Sequence, residues 1–579
     1  MVDLKRLVAV STGKIRADLC IRRAQVVNVH TCEIIKTDVL IDQGVFAGFR
    51  SYGTGEATEM YDAQDKYMLP GFIDGHVHIE SSQLSVPVFS ELLLRRGTTT
   101  VIADPHEIVN CAGMQGLDYM MKTSDHIPLS VFFMIPSCVP CSPFETSGAV
   151  VEADEIAQWI DNPRILGLGE LMNYPGVLFG DDQVMRKIEV AKNADKFIDG
   201  HFPSPLPQDL DAYVAMGIRD DHESTTAAEA QEKLRRGMYL LVRQGTICQD
   251  EEALLPLITK DNFRHCLFCT DDRHAESLIE EGSIDNNVRL AIKNGLDPFI
   301  AISMATINSA ECFHLNDRGA IDPGKRADFS LVEDLHDLFM HRVYVEGTLI
   351  AENQKMKEEL LRLPIDLNVF CTINYGDFSK EKLVLPLRSN RVKTIGLHPH
   401  TIITEAGRAD VETKDGHFVY SPAHDVVKIA VVERHHGTGN VGLGLIEGYG
   451  LKTGAIATTI AHDSHNIICC GTSDEDMYCA IQSLKENHGG LVLVNKGKVL
   501  SQVSLPIAGL MSNCGAQELA DSLHKINIIA REKLGILPDF DPFMTLSFLA
   551  LPVVPAYKIT DKGLFDVRTM KFVGIENND

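Results

Sequence analysis

Between about residues 69 and 320 the chain repeats one pattern: a short apolar run, a polar loop, a helix-like segment. Eight runs stand out, at 69–78, 98–103, 129–135, 164–168, 196–200, 216–221, 238–242 and 266–270. Most are too continuously apolar for a half-exposed strand and read as strands covered on both faces. Helical spacing of apolar residues marks 86–96, 182–194, 227–236 and 251–257 between them. Gly97 and Gly237 sit where helix-terminating glycines belong. Eight strands alternating with helices over roughly 250 residues predict a (β/α)8 barrel of the TIM type. The third and seventh runs carry the least of this argument, because a short apolar run also suits a buried helix segment.

The flanks read differently. From residue 18 to about 68 the runs are short and β-like, at 23–29, 39–41 and 45–49, with Asp42-Gln43-Gly44 as a turn. This small β-domain is incomplete by itself, and a later segment is expected to finish it. Residues 347–388 read as the end of that domain, a short charged helix at 355–363, and a linker. The last third reads as another α/β unit. Its strands are expected near 426–432, 454–461 and 491–494, and its helices at 474–486 and 516–534. The expected α/β architecture therefore has four parts. Residues 1–68 begin a small composite β-domain, 69–320 form the barrel, 321–388 complete the β-domain and add a linker, and 389–579 form a C-terminal α/β domain.

Charge narrows the function. A net charge of -26 argues against nucleic-acid or anionic-membrane binding, which needs a basic surface. No run of eighteen apolar residues is present, so no membrane span is expected. The start, Met1-Val2-Asp3-Leu4-Lys5-Arg6, lacks the apolar stretch of a signal peptide. Fourteen scattered cysteines then fit reduced thiols in the cytoplasm. Cys138-Val139-Pro140-Cys141 is a single Cys-x-x-Cys with no second pair, which is a weak signal for a metal or redox site. Cys469-Cys470 reads as core.

Candidate chemistry collects at the ends of the runs. In a barrel of this kind the active site lies at the C-terminal ends of the strands. The first run ends in His76 and His78, two apart and so on one side of a strand. Alone, such a pair reads most simply as half-buried side chains. The second run leads into Asp104-Pro105-His106-Glu107, and the fourth ends at Glu170. The fifth ends Asp199-Gly200-His201, the sixth Asp220-Asp221-His222-Glu223, and the eighth Asp271-Asp272. Four histidines and two carboxylates would thus converge from five independent strands, which is the donor set of a metal site. Imidazole mixed with carboxylate suits Mn, Fe or Zn, and nothing in the residues selects among them.

The segment Pro70-Gly71-Phe72-Ile73-Asp74-Gly75-His76-Val77-His78 resembles the opening motif of the amidohydrolase superfamily. Gly319-Ala320-Ile321-Asp322-Pro323-Gly324-Lys325-Arg326-Ala327-Asp328-Phe329 resembles the stretch by which its members re-enter their small β-domain. Over nearly its whole length the chain is similar to the bacterial, non-adenosine-type adenine deaminases. The motifs are His78-Ile79-Glu80-Ser81-Ser82, Ala103-Asp104-Pro105-His106-Glu107-Ile108, Thr270-Asp271-Asp272-Arg273 and Pro506-Ile507-Ala508-Gly509-Leu510-Met511-Ser512. The resemblance implies two divalent metal ions, with Mn or Fe favoured. By position, His76 and His78 would bind the more buried ion, and Asp271 would complete its site. His201 and His222 would hold the second ion, and Glu170 would bridge the two.

The resemblance also implies a reaction. Water activated by both ions would attack C6 of adenine, giving hypoxanthine and ammonia, as in purine salvage. Asp271 would accept the proton and pass it to the leaving amine, with Asp272 as the alternative. Glu223, His106 and Glu107 are the candidates for protonating the ring nitrogens. Glu80, Asp272, His462 and His465 are candidates for binding substrate. The implied assembly is a cytoplasmic homo-oligomer, most simply a dimer, with adenine as its small-molecule partner. Hydrolysis of a cyclic amide or another amino-substituted heterocycle would use the same site. A non-catalytic scaffold of this fold would have lost metal ligands, and here every expected ligand is present.

Two C-terminal motifs need weighing. Gly437-Thr438-Gly439-Asn440-Val441-Gly442 spells a dinucleotide fingerprint, with Asp463 about twenty residues on. Three further glycines between 443 and 452 argue against the helix that must follow it. A richer cluster comprises His398-Pro399-His400, Glu433-Arg434-His435-His436 and Ala461-His462-Asp463-Ser464-His465-Asn466. It is expected either as a buried polar network or as groups lent to the substrate by a domain closing over the barrel mouth. His462 and His465, three apart, would fall on opposite faces of a strand unless a turn intervenes.

Overall fold

The computed structural model describes residues 2–576 apart from 371 and 400, so His400 lies outside the described residues. All eight expected barrel strands form: β1 (Phe72–Val77), β2 (Thr98–Ala103), β3 (Ser130–Ile135), β4 (Ile165–Leu171), β5 (Phe197–Gly200), β6 (Asp220–Asp221), β7 (Tyr239–Arg243) and β8 (Cys266–Cys269). β1 to β5 pair in parallel as one arc, and β6 to β8 as another. The arcs meet on both sides. Arg219 N donates to Ile198 O between β5 and β6. Asp271 N donates to His76 O, and His78 N to Asp271 O, where β8 meets β1. Gly75 makes that second closure feasible: a Cβ there would lie 2.6 Å from Leu267 Cδ1 and 3.0 Å from Phe268 O.

The first apolar run turns out to serve two sheets. Tyr67–Pro70 pairs antiparallel with Phe329–Val332, while Phe72–Val77 enters the barrel. Gly71 is the joint, and a Cβ there would meet Thr99 Oγ1 at 2.2 Å. The small sheet has nine strands, drawn from Ala17–Asn28 through Tyr67–Pro70 and from Phe329–Val332 through Lys355–Met356. The later segment does complete it.

The charged helix expected at 355–363 does not form. Lys355–Met356 pairs with Ala351 and Glu352 at the sheet edge. Asn353 and Gln354 between them take φ of 49° and 56°, the left-handed geometry of a tight hairpin. Hairpin register outweighs helix propensity here, and Leu360 N is then held by Glu91 Oε1 at 2.7 Å.

The C-terminal sheet has eight strands. Its centre is Val426–Val432, flanked by Val441–Glu447 and Ile467–Gly471. All seven residues of Val426–Val432 are buried. Ala430 and Val432 pack with helix Asp474–Glu486, through Met477, Ala480, Ile481 and Leu484. Val427, Ile429 and Val431 join a core continuous with that of the barrel. A strand covered on both faces explains the unbroken apolar run. The helix expected at 516–534 is α-helical over Ala516–Ile529 and ends in a π-turn, Ala530–Leu534, before Gly535. No described helix is long and apolar enough to cross a membrane.

Candidate metal centre and substrate chamber

The barrel places its polar strand ends in one buried cluster. His76 and His78 leave β1 on one side, and their Nε2 atoms are 3.2 Å apart. Each ring is pinned from behind. His78 Nδ1 lies 2.8 Å from the Asp104 carbonyl oxygen, which can only accept, so Nδ1 carries the proton. His76 Nδ1 lies 2.9 Å from Asp199 Oδ2. Both Nε2 atoms therefore present lone pairs toward one another, an unfavourable contact unless a cation joins them. A carboxylate or carbonyl behind the ring in this way is the usual second partner of a metal-ligating histidine.

Glu170, at the end of β4, stands at the centre. Its Oε1 is 3.3 Å from His78 Nε2 and 3.1 Å from His106 Nδ1. Its Oε2 is 2.6 Å from His201 Nδ1 and 3.3 Å from His222 Nε2. Asp104 Oδ2 accepts from Glu170 N at 2.9 Å and so orients it. Asp271 Oδ1 lies 3.1 Å from His78 Nε2 and 3.7 Å from His76 Nε2. Asp272 accepts from Ser81 Oγ, and a carboxylate oxygen of it also lies within 4.8 Å of ligand atoms of His78 and Asp271. All six expected ligands thus meet, and their imidazole–carboxylate donor set fits a pair of divalent cations sharing one carboxylate.

Arg243 escaped the sequence reading, although it ends β7 as a lone charge after Leu240-Leu241-Val242. It is buried, donates to Asp271 Oδ2 at 3.0 Å, and pairs with Glu223 and Asp250. The polar residue at the end of every other chemistry-bearing strand was the signal that could have found it. Arg243 also bears on the role expected of Glu223. Burial opposes charge on that carboxyl, but Arg243, His201 and His222 outweigh it and hold it down at about 2. These partners favour the carboxylate form of Glu223. His106 sits against Glu170, with Nε2 3.5 Å from Glu107 Oε1.

A second cluster adjoins the first. After Ala455–Thr458 the chain turns, so His462 and His465 are brought to the same carboxylate, Glu107, rather than to opposite faces of a strand. His462 Nδ1 lies 2.7 Å from Glu107 Oε1, and His465 Nε2 bonds Glu107 Oε2. Ala461 N donates to His465 Nδ1 at 3.2 Å. That nitrogen is therefore an acceptor, which leaves His465 Nε2 to donate to Glu107, although Glu107, His462 and His465 lie close enough together to resemble a metal-ligand group. Burial opposes ionisation of Glu107, but His462, His465 and His106 outweigh it and hold the carboxyl well below its ordinary range. Burial likewise opposes charge on His462, yet Glu107 pushes that imidazole up to about 9.

These groups line a small pocket. Glu80, Ser81, Glu107 and Asp272 come from the barrel; Ile460, His462, His465, Leu510 and Met544 come from the C-terminal region. All four residues expected to bind substrate, Glu80, Asp272, His462 and His465, are brought to this one wall. Glu80 Oε1 accepts from Ile108 N at 3.1 Å, while its buried Oε2 has no partner among the described residues. Burial pushes the Glu80 carboxyl up to about 7.

Other candidates lie elsewhere. Cys138 and Cys141 are buried free thiols with separate partners, Asn173 N and Glu145. Gly442 lies within strand Val441–Glu447, so no helix follows the glycine motif. His435 and His436 bond the carbonyls of Ser464 and Ser147, and His398 faces Glu405 at the surface. These histidines serve structure.

Fold and site together define a hydrolase of the amidohydrolase type. Residues 67–356 match the model of the amidohydrolase family, and residues 401–571 match that of the adenine deaminase C-terminal domain. The chain is 46% identical over 574 residues to an adenine deaminase of Nitratidesulfovibrio vulgaris (strain DP4), covering 99% of each. It is equally similar, at 46% over 576 residues, to adenine deaminase 2 of Carboxydothermus hydrogenoformans, covering 99% of this chain and 100% of that one. An adenine deaminase of Halalkalibacterium halodurans is 46% identical over 574 residues, 98% of each. The chain belongs to the adenine deaminase family within the amidohydrolases.

Proposed function

We propose that this protein hydrolyses adenine to hypoxanthine and ammonia. The observation that carries the reading is the match along the whole chain to proteins described as adenine deaminases. A pocket beside a cluster of metal-ligand type supports it. Water supplies the oxygen that becomes the C6 carbonyl, the C6–N bond breaks, and the amine leaves with the protons as ammonia.

His76, His78 and Asp271 would hold one divalent ion, His201 and His222 the other, and Glu170 both; Mn or Fe is our assignment. Bound there, the ions lower the pKa of a water so that a nucleophile is available near neutral pH. Asp271 takes the water's proton and delivers it to the departing amine. Burial opposes charge on Asp271, but His78 and Arg243 outweigh it and hold it ready as a carboxylate. Electron density driven into the ring needs a donor at a ring nitrogen. Glu80, half-protonated near neutrality with Oε2 unpaired, suits that task better than Glu223. His462 offers Nε2–H in the same pocket, with Glu107 keeping it charged.

All thirteen described cysteines are free, which supports a reducing, cytoplasmic setting. The test is ammonia release by metal-loaded protein from adenine, adenosine, guanine and cytosine, with ring opening of a dihydropyrimidine followed alongside. Release from adenine above all others is expected. Ring opening of the dihydropyrimidine alone, or no reaction with any of them, would overturn the reading.

A further inference from the structure

Arg434 does not line the pocket, yet it is fully buried. Its guanidinium bonds only neutral groups among the described residues. A fully buried arginine is ordinarily paired with a carboxylate, because an interior cation without an anion is costly. The partners it does have say what holds it there. Nε donates to His465 O, and Nη1 to Thr372 Oγ1 at 2.8 Å. Nη2 donates to Cys111 Sγ at 3.2 Å and to Ala508 O at 2.9 Å. Arg434 N donates to Asn466 Oδ1 at 3.3 Å.

Two of these contacts bracket one hydrogen bond. Cys111 stands one turn after Glu107 on the helix His106–Ala112. His465, whose carbonyl takes the Nε proton, sends its own Nε2–H to Glu107. One guanidinium thus grips both the helix that presents Glu107 and the turn that presents His465. Gly509, at φ 74°, leaves it room, since a Cβ there would lie 3.1 Å from both Nη atoms. The charge acts on the same ring. His465 is faced by Glu107 from the helix, by His462 and Asp463 in its own turn, and by Arg434 and His435 beyond the end of strand Val426–Val432. Burial, His462 and Arg434 hold the His465 imidazole down at about 4, although Glu107 pulls the other way. A second proton, at Nδ1, would also meet Ala461 N–H donor to donor.

We propose that Arg434 is a positioning residue for the deamination: it aligns the Glu107–His465 hydrogen bond and keeps His465 neutral, so that His462 alone carries the extra proton. The inference rests on the adenine reading above. Arg434 acts through His465. With His465 neutral, Glu107 has one imidazolium to stabilise, that of His462, which lines the pocket. Without the guanidinium the turn loses its tie to the helix. His465 then takes a second proton at a higher pH, because a neighbouring cation no longer opposes it.

The experiment is a double-mutant cycle on the metal-loaded full chain with adenine: Arg434→Gln, His465→Gln and the two together. Arg434→Gln should keep both metal equivalents and lower kcat/KM about 10–100-fold, the worth of one charge-assisted hydrogen bond. In the His465→Gln background the same change should cost less than about threefold, because the group it acts through is gone. The acid limb of kcat/KM should move toward neutral pH in Arg434→Gln. It should stay in place in Arg434→Lys, which keeps the charge and loses the fork. Should Arg434→Gln fail to fold or to hold metal, the same cycle with Arg434→Lys decides. Additive losses, or an unmoved acid limb in a folded and metal-loaded Arg434→Gln, would overturn the proposal. A wild type inert to adenine would instead overturn the functional reading, and this inference with it.

Discussion

Two clusters of histidine and carboxylate lie side by side at the barrel mouth. In the first, His76 and His78 give their Nδ1 protons to Asp199 and to the Asp104 carbonyl, so bare Nε2 atoms face inward. In the second, His465 receives a backbone N–H at Nδ1, so its Nε2 is protonated and donates to Glu107. Both clusters hold imidazoles close to a buried glutamate. Only the partner behind each ring differs. That partner decides whether the ring offers a lone pair to a cation or a proton to an anion. The first cluster is built wholly from barrel strands. The second joins the barrel to the C-terminal region across more than 350 residues of sequence.

The contrast breaks most sharply at Glu170. Glu170→Ala should lose bound metal and activity together, by well over the ~10–100-fold typical of groups that merely support a ligand. Metal analysis finding two full equivalents in that variant would remove Glu170 from its bridging place. Asp271→Asn should lower kcat by about 10²–10⁴-fold, the worth of a proton-transfer group, with little change in KM. A variant retaining more than a tenth of wild-type turnover would pass the role to Asp272.

Glu107→Gln tests the other side. It removes the anion that charges His462, and a lost charge-assisted hydrogen bond is worth about 10–100-fold in kcat/KM. Both metal equivalents should stay. Loss of metal in this variant would mean that the two clusters are one centre.

The smallest effect lies outside both. Glu251 is buried with neither carboxylate oxygen partnered among the described residues, and burial holds its carboxyl well above the ordinary range. The folded state then binds more protons than the unfolded one, so stability falls as pH rises from the unfolded pKa of about 4.3. Glu251→Gln should melt like wild type near pH 4 and at a higher temperature at pH 8. Equal melting at both pH values would show that water reaches this carboxyl.

Much of this was legible along the chain. The eight barrel strands were, because parallel strands covered on both faces stay apolar end to end. Even the third and seventh runs proved to be strands, as β3 and β7. The strand-end donors that meet in the cluster were legible too, because a polar residue ending such a run has few structural reasons to be there. Less visible was the division of one apolar run between two sheets at Gly71, which depends on how closely Thr99 approaches. The helix expected at 355–363 failed because its charge pattern suits a helix, while the pairing edge of Thr348–Glu352 lay beyond that local view.

Arg243 was missed for a different reason: a lone arginine gains meaning only from the two carboxylates it faces. The sequence by itself determined the strand count, the strand-end donors and the family. Tertiary structure decided the tautomers, the convergence of His462 and His465 on Glu107, and the place of Arg434. Periodicity and residue type act within a few neighbours along the chain. A ring's proton, by contrast, is assigned by whichever backbone group the fold brings behind it.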